Sequence, residues 1–362
     1  MTVPARCPDS GGMKPWTVVD VPGERAALAG VVAVRTACVV ETFGNDDMAD
    51  PVEVELARDH RYTRAGYLAA VEADRTLGAA FVDYPLTDNT SMAWMRVQVL
   101  PDERGRGIGS ALYAAALDRV RSSGRTLVIS PTYQGAEPPA GPATLDPPTG
   151  SGRVALADAG VRFARARGWS LEQVNRRSEL ALPVAGLDHF YDEAAAAAGP
   201  DYRVHTWETD TPERWLDQYA YVLSRMSTDA PKGGLELEAE AWDGARVRAQ
   251  EKKTHAGGYR TLVLAAEHVP TGTLAAFTNF WVPPHTEEFV HQGDTLVVPD
   301  HRGRRLGMLV KAANLRRLAD ERPSVRRVGT WNAEENRWML AINVALGFRP
   351  AGGSGEWQLK LS

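Results

Sequence analysis

Two short runs carry residue types able to grip an anion: Arg104-Gly105-Arg106-Gly107 with Gly109 and Ser110, and Arg302-Gly303-Arg304-Arg305 with Gly307 and Met308. Each follows an apolar run ending in proline and precedes a helix-forming run. A glycine-rich turn between strand and helix leaves backbone N–H groups unpaired at the positive end of the helix, where a phosphate is bound without any special side chain. Neither run is a GxxxxGK[ST] loop, because no lysine follows the glycines and no acidic metal ligand stands nearby. Arg305 takes the place of the first run's Gly107. That position opens a helix, so a φ near −60° is expected there, with glycine serving space and an arginine tolerated if its side chain swings aside.

The two runs belong to an internal repeat. "VQVLPDERGRGIGSALYAAALDRV" (97–120) aligns without a gap with "TLVVPDHRGRRLGMLVKAANLRRL" (295–318), an offset of 302 − 104 = 198 residues. Two strand-like runs precede each copy, "AGYLAAVEA" and "TLGAAFVDYP" in one case, "YRTLVLAAEH" and "GTLAAFTNFWVP" in the other. A strand, a helix and a further strand follow each. The chain therefore reads as mixed α/β, two similar halves in tandem. The division falls at 1–183 and 201–362, joined by 184–200, where an edge strand ending in proline leads through an alanine-rich helix to Gly199-Pro200. The Pro- and Gly-rich stretch 133–153 is expected as a surface loop rather than a lid.

The pattern Val97-x-Val99-x-Pro101-x-x-Arg104-x-x-Gly107-x-Gly109 resembles the coenzyme A loop of the GCN5-related N-acetyltransferases. So does Asn336 followed by a helix ending in Leu346-Gly347-Phe348. The resemblance covers nearly the whole chain as a tandem pair, and similar segments occur in actinobacterial tandem acetyltransferases. It implies two domains, each a mixed, mostly antiparallel sheet flanked by helices, and acetyl-coenzyme A as cosubstrate without a metal. The two loops would hold the coenzyme's diphosphate. The strand backbone at Val97 and Val99, and at Leu296 and Val297, would meet its arm and the acyl oxygen. Asn332 and Asn336 would bond the arm, or serve as plain helix N-caps. In this family the base often lies on the strand before the loop, nine to thirteen residues ahead of its arginine.

Acyl transfer to an amine needs one base, a donor for the carbonyl oxygen and a leaving thiolate. His291 lies 302 − 291 = 11 residues before Arg302, and strand alternation puts His291, Gly293 and Thr295 on one face with Asp294 opposite. Glu288 and Glu287 are the fallback bases, and a partly exposed structural histidine is the alternative to a catalytic one. The tyrosine that often acts as acid in the family is Asn343 here; Tyr259 is a substitute. The first half offers Ala93 and Met95 on the corresponding face, with Asp83 and Tyr84 nearby. Catalysis is therefore expected in the second half, the first binding coenzyme or keeping only its relic. Of the second half's tryptophans, Trp281 and Trp331 are candidates for an acceptor pocket and the rest for core.

The expected acceptor is the primary amine of a small molecule, with a natural product or antibiotic, made or inactivated, as the class the resemblance suggests. The alternatives are a non-catalytic acyl-coenzyme A sensor and an aminoacyl-tRNA-dependent transferase. The net charge of −5 counts against nucleic acid. Two cysteines, Cys7 and Cys38, are too few for a disulfide framework or thiolate zinc site, and no HExxH or GxSxG motif occurs. No apolar run approaches the roughly 18–20 residues of a membrane helix, and the first residues lack a signal peptide's apolar stretch. A cytoplasmic monomer or homodimer with reduced thiols is expected.

Overall fold

The computed structural model describes residues 14–361, so Cys7 and the N-terminal tail lie outside the described residues. The first half runs β1 (Thr17–Val21), α1 (Arg25–Phe43), α2 (Val52–Leu56), β2 (Thr63–Glu72), β3 (Arg75–Pro85), β4 (Met92–Val99), α3 (Ile108–Ser122) and β5 (Leu127–Gln134). A small ribbon of β6 (Thr144–Leu145) and β7 (Val154–Ala155) follows, then α4 (Ala159–Arg165) and β8 (Ser170–Ala181). After the connecting helix α5 (Leu187–Ala198), the same order returns. It comprises β9 (Tyr202–Glu208), α6 (Leu216–Asp229), α7 (Gly244–Ala256), β10 (Arg260–His268), β11 (Thr273–Val282), β12 (Phe289–Val297), α8 (Leu306–Glu321), β13 (Arg327–Ala333), α9 (Arg337–Leu346) and β14 (Arg349–Lys360). The repeat read from the loops extends to every element of the large sheet and the helices that flank it, the β6–β7 ribbon being an addition of the first half.

Twelve of the strands form one sheet, in the order β1-β2-β3-β4-β5-β14-β8-β13-β12-β11-β10-β9. The last strand of each half crosses over. β14 pairs with β5 and sets Trp357 into the first half's core, its Nε1 donating to Thr132 at 2.9 Å. β8 pairs with β13, and its Leu180 packs in the second half's core. The two exchanged strands then pair with each other. The edge strand expected before Pro183 is thus a central one: Ala181 ends β8, which has neighbours on both sides.

Helices α3 and α8 pack on one face of this sheet; α1, α6 and α7 cover the other. α1 is an exception to the sequence expectation about apolar runs. Its 19 residues are long and apolar enough to cross a bilayer by length and composition. In the fold it lies on the sheet, burying Leu28, Val31 and Val34 with Tyr67 and Ala79. It also carries Arg35, which is ion-paired to Asp50 and Glu55. The stretch 133–153 is anchored rather than free. The Gln134 amide donates to the Arg153 carbonyl at 2.9 Å, and Gly152 sits so close to Val174 and Glu334 that a Cβ would come within 2.8 Å of either.

Candidate functional site: a bulged strand, a cradle and an acidic cavity

β4 and β5, and likewise β12 and β13, are the parallel pairs of their halves, and each pair splays apart. β4 pairs with β5 only over Met92–Trp94, and β12 with β13 only over Phe289–Gln292. Beyond those points the edges Met95–Val99 and Gly293–Val297 have no partner on the splayed side. Each notch ends at a helix start where the first-turn N–H groups are free by helix geometry. Small residues keep both mouths open. A Cβ on Gly307 would meet Ile342 Cδ1 at 3.0 Å, and one on Gly109 would meet Val99 and Phe163 at 3.5 and 3.6 Å. The free N–H groups at the helix start and the unpaired strand edge are donors of the kind an acyl-coenzyme A would need.

The two cradles differ in detail. In the first, Arg104 pairs with Glu41 of α1, and Arg106 with Glu72 and Glu103. In the second, Arg302 pairs with Asp229 at 2.9 Å and Arg305 with Glu193 at 3.0 Å, while Arg304 has no carboxylate partner among the described residues. The conformational reading of Arg305 is corrected by the structure. Gly107 and Arg305 both cap their helices in the left-handed region, at φ 81° and 56°. Glycine serves conformation there, and the arginine holds a strained backbone.

The face reading of β12 is corrected too. Thr278 lies opposite Thr295 and Phe280 opposite Gln292, so the single residue Asn279 faces both Gly293 and Asp294: a β-bulge. Alternation slips by one across it. Val290 and Val297, an odd seven apart, both pack in the α8-side core, while Leu296 packs in the α6–α7-side core. Asp294 consequently turns to the α6–α7 face, the face His291 also takes. The Gln292 amide braces the bulge by donating to the Asn279 carbonyl at 2.8 Å and the Thr278 hydroxyl at 2.9 Å. β4 carries no bulge against β3.

On that face a cavity of about 410 Å³ opens, walled by α6, α7, β11 and the segment 230–243 between the two helices. Asp294 forms part of its floor, joined by Asn279, Tyr219, Trp281, Trp242, Glu240 and Glu251. Burial, reinforced by the nearby Glu240 charge, pushes the Asp294 carboxyl up to about 6. Trp281 is one of the two tryptophans nominated from sequence. The other, Trp331, packs against Phe43 and Tyr133 at the junction of the halves. Trp242 and Glu240 were not foreseen, since a segment beginning Pro-Lys-Gly-Gly gives no sign of lining a site.

The remaining candidates lie apart from the cavity. His291 packs with its ring centroid 4.7 Å from that of Phe289 and 6.3 Å from that of Tyr259, and burial pushes it down to about 4. The Tyr259 hydroxyl donates to Asp50 of the first half at 2.7 Å; burial, then that carboxylate, holds it protonated. Glu288 is exposed, 3.7 Å from Arg327. Asn343 is buried and donates to Asn332 at 2.7 Å, its own Oδ1 unpartnered. Asn336 caps α9 by accepting from the Met339 N–H. In the first half the equivalent face is filled by Arg35, Arg58, Asp50 and Glu55 in one ion-paired network. There Asp83, pushed up to about 6 by burial, faces Arg58 and Lys253.

Residues 67–136, which span β2 through the end of β5, match the family described as GCN5-related N-acetyl-transferase. A tandem GNAT protein from the clavulanic acid biosynthesis pathway superposes with a TM-score of 0.74 at 25% identity, over 95% of this chain and 98% of that one. A GCN5-related N-acetyltransferase from Sphaerobacter thermophilus gives 0.57 at 14% identity, over 98% and 97%. A glucosamine N-acetyltransferase region of a fungal multi-domain GH3 beta-N-acetylglucosaminidase gives 0.61 at 15%, over 97% of this chain and 39% of that one. No curated protein matches in sequence. The chain has the tandem fold of the GCN5-related N-acetyltransferases, as its two loops led one to expect.

Proposed function

We propose that this protein is an acyl-coenzyme A-dependent N-acyltransferase whose second half transfers the acyl group to a small primary amine, with Asp294 as general base. One observation carries this reading. The bulge in β12 turns Asp294 into the acidic cavity on one face, while the adjoining residues of the same strand form the open edge of the cradle. Acceptor and acyl donor would meet across a single strand.

Bound acyl-coenzyme A supplies the activated acyl carbon, and the rest falls to the chain. The α8 start and Arg304 hold the diphosphate; acetyl is the simplest acyl group the cradle would present. Asp294, kept basic enough by its enclosure, takes a proton from the acceptor's ammonium. The freed nitrogen then forms the C–N bond as the C–S bond breaks, the electron pair leaving on sulfur and the nitrogen's second proton passing to the thiolate, which gives the amide and the free thiol. Unpaired N–H groups along Gly293–Val297 face the place where the carbonyl oxygen gains charge. A thiol has a pKa near 8.5, so the leaving group needs less protonation than an alkoxide would, which suits a site with Asn343 in place of a tyrosine. His291 is less favoured as base because its imidazole packs apart from the cavity and burial makes it a weaker proton acceptor than Asp294.

The first half keeps a glycine-rich cradle, but ion pairs occupy its acceptor face and β4 is unbulged. We assign it coenzyme binding without transfer. Thiol release from acetyl-coenzyme A, measured against a panel of amines, tests the proposal. Release that depends on amine supports it; binding with no release under any amine would favour an acyl-coenzyme A sensor. The neighbour from the clavulanic acid biosynthesis pathway makes natural-product amines the first to try.

A further inference from the structure

The cavity's lining is one-sided in charge. Three carboxylates contribute, from Asp294, Glu240 and Glu251, and no lysine, arginine or histidine is among the lining residues. Glu251 is already satisfied, accepting from the Thr211 N–H at 2.7 Å and from Arg248 at 2.9 Å. The other two are not. Nothing among the described residues donates to the Asp294 carboxylate. Glu240 uses only Oε2, toward Trp242 Nε1 at 2.9 Å and Arg246 at 3.4 Å, which leaves Oε1 free. Asn279, 3% exposed, borders the same cavity, and its buried Oδ1, set against Gly293, has no donor. Trp242 and Trp281 add aromatic surface to this lining, with the Arg246 guanidinium stacked 4.6 Å from the Trp242 ring centre.

The backbone that carries Glu240 is also held in place. Its N–H donates to Ser227 Oγ at 2.9 Å. Two residues earlier, Glu238 and Asn89 of the first half exchange two hydrogen bonds of 2.7 Å, each backbone N–H to the other's side chain. Leu235 is buried against Met92, Leu127 and Ile129, and Arg246 is ion-paired to Asp88. The first half therefore clamps the segment that carries Glu240 and Trp242. Glu240 shares its Oε2 with Arg246 and adds its charge to that of Asp294 in the empty cavity, and a cation bound at the free Oε1 would offset both.

Resting on the transferase reading, we propose that the acceptor is a small diamine. Asp294 takes the amine that is acylated, and Glu240, flanked by Trp242, holds a second ammonium that does not react. Amines bearing a carboxylate are excluded, since no cationic side chain lines the cavity to meet one.

Three amines of matched length decide the matter: 1,4-diaminobutane, 1-butylamine and 4-aminobutyrate, each assayed by thiol release from acetyl-coenzyme A. The expected order is diamine above butylamine by about tenfold or more in kcat/KM, the size of one charge-assisted hydrogen bond, with aminobutyrate lowest. Glu240→Gln lowers the value for the diamine by about tenfold more than that for butylamine. Equal values for diamine and butylamine, or an equal fall for both in the variant, would overturn the diamine assignment while leaving the transferase standing. If no amine releases thiol, the transferase reading fails instead. Calorimetric affinities for the same three amines then decide the cavity's cation preference on their own: tighter binding of the diamine upholds it, equal binding ends it.

Discussion

Replacing Asp294 with asparagine separates two consequences of one buried carboxylate. The side chain keeps its shape but loses both its charge and its capacity to take a proton. A positioned general base contributes about 10²–10⁴ in rate, so kcat/KM for the amine should fall by about that factor while coenzyme affinity is kept. Because the wild-type carboxyl is pushed up to about 6, kcat/KM should rise tenfold per pH unit below that value and level off above it. Stability moves in the opposite direction. A folded-state pKa of about 6 against an unfolded value near 3.9 corresponds to about 3 kcal/mol of destabilisation from the ionised form. The sign is that of a raised pKa: both states are protonated below about pH 4, the penalty accumulates between about pH 4 and 6, and it is complete above 6. D294N escapes that penalty. It should match wild type in chemical denaturation at pH 4 and be more stable at pH 8, by at most about 3 kcal/mol. A variant that is no more stable at pH 8, or that keeps full kcat/KM with the same inflection, would refute the placement of this carboxylate in the cavity and at the chemistry.

Other changes test other parts of the structure. Arg305→Gly should stabilise the protein by about 1 kcal/mol in thermal denaturation, because the left-handed backbone no longer strains an L-residue, and the exposed pair with Glu193 that it loses is worth little. Gly307→Leu, whose Cβ would meet Ile342 at 3.0 Å, should abolish coenzyme binding in the second half and turnover with it, read by calorimetry and thiol release. Gly107→Trp should weaken coenzyme binding in the first half alone; if turnover disappears as well, catalysis has been placed in the wrong half. Residues 1–200 expressed alone should aggregate, since β5 and β8 both lose β14, and co-expression with 201–362 should restore solubility.

The fold was largely legible because its signals are local. The glycine-rich turns, the Leu346-Gly347-Phe348 ending and the paired strand runs each declare an element from neighbouring residues, and their repetition declares the plan. The pairing of β14 with β5 was not legible. A strand's sequence fixes which face is apolar but not which of two equivalent edges it joins, and here both halves offer one. Within the site, alternation along β12 misassigned Asp294, although Gly293 inside a strand pattern was a hint of a bulge. Arg305 misled for a related reason, since the residue before a helix can be left-handed and type alone did not reveal it. Glu240 and Trp242 were beyond reach from sequence because the first half fixes them through Asp88 and Asn89, some 150 positions away.

The crossing of β8 and β14 also sets the order in which the molecule can be finished on the ribosome. β5 is complete at Gln134, but the strand that covers its free edge begins at Arg349, 349 − 134 = 215 residues later. At synthesis rates of about 5–20 residues per second, that edge stays uncovered in the nascent chain for about 10–40 s. Trp357, which closes the first half's core, is made later still. The first half is thus translated first yet completed last, with the edge of β5 open to other strands for as long as the second half takes to emerge.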